Sequence, residues 1–233
     1  MIAQGLVANG VKTYIVGRDA GRCESTAAEL SEFGECIALL GDLSSLDGIR
    51  QVTESLAQRE SQLDILVNNA GALSEAPLDS FTEDDWDSVM DLNLKSPFFL
   101  VQQLLPLLRK SASPTEPARI VNIGSVGGLR ISGRENYAYV ASKAGLHHLT
   151  RALAKRLGSE HITVNAIAPG PFPSNLTADA PEEARAALCK QIPRGRFGDA
   201  EDIAGSVIYL ASRAGAYVTG TVIAVDGGIS GTL

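Results

Sequence analysis

Tyr139 and Lys143 stand four residues apart in Tyr137-Ala138-Tyr139-Val140-Ala141-Ser142-Lys143, a spacing that puts a phenol and an ammonium on one helix face, within reach of a shared ligand. The chemistry open to such a pair is proton transfer. A phenol with a pKa of about 10 is a poor acid at neutral pH, whereas an ammonium about 4 Å away, at an effective dielectric of about 20, lowers that value by roughly three units. Lys143 is therefore expected to tune Tyr139. Spacing alone is also what an ordinary exposed helix face shows, and Ser125 is what shifts the balance. It precedes Tyr139 by fourteen residues, in Ile123-Gly124-Ser125-Val126-Gly127-Gly128 at the end of an expected strand, where active-site residues of parallel sheets gather. Tyr137 is a rival phenol, but the residue four beyond it is Ala141, which cannot tune it, so Tyr137 is assigned to packing.

Holding these groups takes an alternation of strands and helices. Candidate strands are Thr13–Val16, Ile37–Leu40, Asp64–Asn68, Arg119–Ile123, Thr163–Ala168 and Thr221–Val225, short and apolar on both faces as buried parallel strands are. Helical patterns lie between them at Ala20–Glu32, Ser45–Arg59, Thr82–Lys110, Tyr137–Leu157 and Asp199–Ala211, each gap long enough for a right-handed crossover. The expected fold is α/β, a Rossmann-like doubly wound parallel sheet in one domain over residues 1–233. Asp19 sits where an N-cap is wanted, Gly158 follows the long helix, and Pro169-Gly170 stops a strand. Pro171–Arg194 has no clear strand and is the natural candidate for a mobile lid. Met1–Asn9 reads as a helix ending at Gly10, with no N-cap.

The 233 residues are 45% hydrophobic and 20% charged, which excludes disordered and disulfide-built classes. A formal charge of −7 repels nucleic acid and anionic membrane, so neither is expected as a partner. Cys23, Cys36 and Cys189 are odd in number without CxxC spacing, which reads as free thiols in a reducing compartment. Nothing pairs His147, His148 and His161 for metal binding, so no metal is expected and all three are taken as structural. Without a long apolar run or a signal-peptide pattern, the expectation is a soluble cytoplasmic protein.

Further motifs follow in order: Asn68-Asn69-Ala70-Gly71 at a strand end, Asn93 in Asp91-Leu92-Asn93-Leu94, Pro169-Gly170, and Val225-Asp226-Gly227-Gly228. Together with Ser125 and Tyr139-x-x-x-Lys143 they resemble the NAD(P)-dependent short-chain dehydrogenase/reductase family over essentially the whole chain. Within it the chain looks like the 3-oxoacyl reductases of the rhamnolipid-biosynthesis type, on a general likeness that includes Gln102–Arg109 and the Ser111-Ala112-Ser113 loop. The resemblance implies that Tyr139 gives the proton in reduction and takes it in oxidation. It also implies that Lys143 hydrogen-bonds the nicotinamide ribose, Ser125 fixes the substrate oxygen, and Asn93 holds a water in a proton relay. By residue type alone, Asn93 is equally a satisfied structural group. Asp42 and Leu43 would flank the adenine, Asn69 would meet the adjoining ribose, and Phe172, after Pro169 and Gly170, would lie near the nicotinamide amide. As a cap for the following helix, Asp42 reads equally well. Arg18 answers the 2′-phosphate of NADP where a carboxylate would serve NAD; NADP is favoured and NAD stays open, with Asp19 next door. A homodimer or homotetramer would form through the helices after Thr82 and Tyr137.

The family pattern also opens with a strand and Thr-Gly-x-x-x-Gly-x-Gly, and this chain has neither. The expectation is a fragment, or a start codon placed too late, with the sheet's central strand missing between the strands that begin at Thr13 and Asp64. Its neighbours would stand about 9 to 10 Å apart, with unpaired backbone groups each costing roughly 1 to 3 kcal/mol. Two classes of function therefore compete: a carbonyl reductase of 3-oxoacyl thioesters or small ketones, and a non-catalytic homologue keeping only the oligomer surface. An alcohol dehydrogenase of small ketones is a further alternative. Phe172, Leu176, Leu188 and Ile192 suit an apolar acyl chain or a lid packed on its own domain. With Glu116 and Glu160 on expected loops there is no evident basic surface for acidic acyl-carrier protein, which leaves a coenzyme A thioester or a small ketone open. Arg130 and Arg134 could hold a phosphate or carboxylate at the pocket rim, or be solvated.

Overall fold

The computed structural model describes residues 1–131, 133–173 and 182–232. All six expected strands form: β1 Thr13–Gly17, β2 Cys36–Leu40, β3 Ile65–Asn68, β4 Ala118–Ile123, β5 Ile162–Pro169 and β6 Val222–Val225. Every pairing is parallel. In β4, Ala118 and Ile120 enter one apolar core while Val121 and Ile123 enter another, so the strand is buried on both faces. Helices must then cover both faces. α3 (Leu46–Ala57), α5 (Ser96–Ser111) and α6 (Tyr137–Leu157) build the first core; α1 (Ile2–Ala8) and α8 (Ala200–Ala211) build the second. α2 (Ala20–Leu30), α4 (Glu83–Met90) and α7 (Glu182–Gln191) complete the set among the described residues. No helix among these residues is long and apolar enough to cross a membrane.

Helix starts follow local chemistry. The Asp19 carboxylate accepts from the Arg22 N–H at 2.8 Å, and Thr82 with Asp85, like Asp199 with Asp202, forms a reciprocal capping box. α1 has no side-chain cap.

The sheet is in two pieces. β1 pairs with β2, β3–β4–β5–β6 form the other piece, and no ladder joins β1 to β3 among the described residues. The break lies where the sequence places it. Strands in the middle of a doubly wound sheet should be the most buried, yet Ile15 of β1 and Leu66 and Val67 of β3 are only half-buried, whereas β4 is buried throughout. All three residues line a cavity of about 320 Å³, a slot also lined by Leu6 of α1 and Leu100 of α5.

One local expectation is corrected. The helix read across Thr82–Lys110 is interrupted by a wider, π-helical turn at Asp91–Lys95, which carries Asn93 inward to 1% exposure. Gly158 follows α6 as expected and opens a further 3₁₀ turn, after which the chain reverses at His161 (φ +58°). The stretch Pro171–Arg194, expected to hold no strand, has none among the described residues and contains α7. The lid reading, with Leu176, rests partly on residues 174–181, outside the described residues.

Candidate active site

Parallel strands bring their carboxyl ends to one rim. β4 ends at Ile123, and the chain turns through Ser125, which is buried and opens a short 3₁₀ turn at Val126–Gly128. The Ser125 Oγ accepts the Gly127 N–H at 3.0 Å. That bond leaves the serine O–H to donate elsewhere. α6 then presents Tyr139 and Lys143 one turn apart. The Lys143 ammonium, 4% exposed, donates to the Ile123 carbonyl at 2.8 Å and lies 5.7 Å from the centre of the Tyr139 ring. A Cβ placed on Gly127 would be 3.4 Å from the Ser125 Oγ and 3.5 Å from the Tyr139 Cε1, so hydroxyl and phenol ring flank the same glycine. Burial pushes Lys143 down from its ordinary 10.5 to about 8. It stays largely cationic at neutral pH, held by a backbone carbonyl beside an aromatic ring.

Asn93 meets the same cluster through the loop after β3. Its Oδ1 accepts the Ala72 N–H at 2.8 Å, and its Nδ2 donates to the Ala72 carbonyl at 2.9 Å and to the Ser142 Oγ at 3.1 Å. Both amide hydrogens are taken by protein groups, so this side chain clamps backbone. A Cβ on Gly71 would lie 3.3 Å from the Asn93 Oδ1 and 3.7 Å from the Lys143 Nζ. Ser125, Tyr139, Lys143 and Asn93 are thus brought together.

The remaining expected residues lie around this cluster in separate groups. Arg18 is exposed at the end of β1. Asp42 is held below the usual carboxylate range by hydrogen bonds from the Ser44 N–H (3.0 Å) and O–H (2.7 Å), with a smaller contribution from the Arg18 charge. The cap of α3 is Ser45, which accepts the Gly48 N–H at 3.1 Å; the reading of Asp42 as that cap is corrected. Leu43 and Asn69 line the slot. Gly170, after Pro169, packs so closely on Asp226 that a Cβ would stand 2.7 Å from its Cα. The Phe172 ring lies against Gly198 and lines, with Arg194 and Val225, a second cavity of about 530 Å³. An exposed guanidinium, the exposed amide of Asn69 and a buried ammonium are donors that suit an anionic, hydroxyl-rich ligand such as a dinucleotide.

Arg130 and Arg134 both donate to protein acceptors, Arg130 half-buried and Arg134 exposed to solvent. Arg130 donates to the Ile229 carbonyl at 2.6 Å, and the Arg134 Nε donates to Glu75 at 2.9 Å. The Tyr137 hydroxyl donates to Glu135 at 2.9 Å, and its ring stands edge-on to Phe81. Of two further side chains on α6, the sequence reading gave Ser142 no role and took His147 as structural. The Ser142 Oγ–H donates to the Tyr139 carbonyl at 2.8 Å while receiving Asn93. His147, 3% exposed, lies beneath the Ser125 turn. Burial, with smaller contributions from the Lys143 and Arg151 charges, brings its imidazole down to about 4, against a weaker opposing effect of the Gly128 backbone. Its position one turn past Lys143 was the available signal.

Residues 1–230 match the family described as enoyl-(acyl carrier protein) reductase. The chain is 50% identical to the rhamnolipids biosynthesis 3-oxoacyl-[acyl-carrier-protein] reductase of Pseudomonas aeruginosa, over 98% of its own length and 90% of that protein's. It is 37% identical to the 2-dehydro-3-deoxy-D-gluconate 5-dehydrogenase of Escherichia coli, over 92% and 84% of the two chains. Among solved structures, the Pseudomonas aeruginosa RhlG/NADP active-site complex superposes with a TM-score of 0.95 at 50% identity, covering 98% of this chain and 90% of that one. The parallel α/β architecture and these likenesses agree: the chain belongs to the short-chain dehydrogenase/reductase family of NAD(P)-dependent oxidoreductases.

Proposed function

We propose that the chain is an NADPH-dependent carbonyl reductase of 3-oxoacyl thioesters, with Tyr139 as proton donor. The observation that carries this is the Lys143 ammonium, buried and fixed on the Ile123 carbonyl beside the Tyr139 ring, with the Ser125 hydroxyl across Gly127. NADPH, when bound, supplies a hydride to the carbonyl carbon. The oxygen then gains negative charge and needs a hydrogen-bond donor and a proton. The Ser125 O–H, already pinned through Gly127, donates to that oxygen, and the Tyr139 O–H transfers its proton there. Lys143 stabilises the phenolate left behind. Asn93 keeps the loop after β3 against this group by its grip on Ala72.

Arg18, exposed beyond β1, is the guanidinium proposed to receive a 2′-phosphate. The acyl thioester follows from likeness to the Pseudomonas aeruginosa reductase; the Escherichia coli dehydrogenase makes a sugar-acid ketone the competing substrate. The slot beside β1 favours a second reading, a homologue without turnover. NADPH consumption at 340 nm with 3-oxoacyl thioesters of acyl-carrier protein and coenzyme A, and with a keto-sugar acid, separates these readings. Turnover of a thioester, lost in Tyr139→Phe, supports the proposal; turnover of the keto acid alone, turnover surviving Tyr139→Phe, or none with any substrate overturns it. Homo-oligomer formation through α4, α5 and α6 belongs to the same proposal; Trp86 and Phe98 are exposed on the first two.

A further inference from the structure

The Ser125 turn is built around a side chain that the proposed reaction does not use. His147 lies on α6 one turn beyond Lys143, and its ring fills the space between Gly124 and Gly128, the two glycines bracketing Ser125. A Cβ on Gly124 would stand 2.1 Å from the imidazole Nε2, and a Cβ on Gly128 would stand 2.8 Å from its Cε1. Neither position tolerates a side chain while the ring is there. The Nε2 also accepts the Ser125 backbone N–H at 3.4 Å. An imidazole that accepts at Nε2 carries its proton at Nδ1, which makes no well-formed hydrogen bond and has the Gly128 backbone beside it. Leaving a buried N–H in that state is costly, and an apolar residue of similar size would remove the cost. What the apolar residue could not do is accept from Ser125.

We infer that His147 is a positioning residue: its imidazole fixes the Ser125 turn so that the serine hydroxyl is aimed at the carbonyl oxygen. The inference rests on the proposed role of Ser125 and adds a group that acts only through it. Chemically the chain of influence is short. The ring sets the separation of Gly124 and Gly128, the Nε2 orients the Ser125 amide, and the Gly127 N–H orients the Ser125 Oγ at 3.0 Å. A displacement of the turn costs transition-state stabilisation rather than binding of the dinucleotide.

Two substitutions separate shape from hydrogen bonding. His147→Leu keeps bulk and removes the acceptor; His147→Gln places an amide oxygen near the position of Nε2. With saturating NADPH, His147→Leu is expected to lower kcat about tenfold, the kinetic equivalent of one hydrogen bond, with the KM for NADPH unchanged. His147→Gln is expected to recover most of the loss. A residue that acts through Ser125 has nothing to act on once the hydroxyl is gone, so Ser125→Ala/His147→Leu should be no slower than Ser125→Ala alone. Multiplicative losses in the double variant, an unchanged kcat in His147→Leu, or equal losses in the Leu and Gln variants overturn the inference. If the parent protein turns over no substrate, hydrogen exchange decides without reference to catalysis. The Ser125 and Gly127 amides should exchange at least about tenfold faster in His147→Leu than in His147→Gln, with Val121 of β4 unchanged as the fold control; equal rates overturn it.

Discussion

Lys143 is a buried cation with no carboxylate against it among the described residues, and that predicts how stability depends on pH. Burial moves its ammonium from 10.5 in the unfolded chain to about 8 in the fold. At about 1.4 kcal/mol per decade of proton affinity, the displacement corresponds to roughly 3 kcal/mol. Below pH 8 both states hold the proton, and the folded protein bears the full cost of a desolvated charge. Between pH 8 and 10.5 the folded state gives up the proton while the unfolded state keeps it, so stability rises with pH across that window. Lys143→Met removes the titration with little change in volume. Urea denaturation of both proteins from pH 6.5 to 10.5 should show the parent gaining about 3 kcal/mol on the variant, almost all of it above pH 8, equivalent to roughly 6 to 12 °C in Tm for a domain of this size. Groups not in contact with Lys143 cancel in the difference, and running both proteins in a Tyr139→Phe background removes the phenol beside it. A difference that stays flat, or that falls as pH rises, would refute the account of a desolvated ammonium.

Asn93→Leu leaves both Ala72 backbone groups without partners and should lower the unfolding free energy by about 3 kcal/mol in urea titration. Gly124→Ala drives a methyl to 2.1 Å from the His147 ring and 3.1 Å from the Ile167 carbonyl; it should cost about 1 to 3 kcal/mol, partly recovered by adding His147→Ala, as read from thermal melts. In hydrogen exchange, the amides of β1 and β3 should lose protection well before those of β4 and β5, because the slot leaves one edge of each unpaired. Arg18→Ala should raise the KM for NADPH about tenfold while leaving that for NADH unchanged, since only the former carries a 2′-phosphate.

The strands were legible because each is a short apolar run bounded by turn residues, and even the break in the sheet could be located before any coordinates. α6 was equally plain, starting at Tyr137 and ending at Leu157 as its pattern requires. The π-helical turn was hidden because Asp91–Lys95 contains no glycine or proline; what selects it is tertiary, the meeting of Asn93 with Ala72. α7 was missed because its sequence, Glu182–Gln191, is largely exposed and has no apolar stripe to betray a period. The partners of Arg130 and Arg134 lie 99 and 59 residues away along the chain, beyond what spacing rules can reach. His147 shares a helix face with Tyr139 and Lys143, yet its relation to Ser125 exists only once β4 and α6 are packed.

An uninterrupted sheet locks its strand ends together through backbone hydrogen bonds, which resist sliding far better than interdigitated side chains do. Here the rim that bears Arg18 and the rim that bears Ser125 belong to different sheets, and their alignment is left to helices such as α3 packed against α5. Shear between the rims is therefore opposed by side-chain packing and not by a backbone ladder. A long ligand gripped at both ends would work as a splint, and part of its binding energy would go into setting the two halves true.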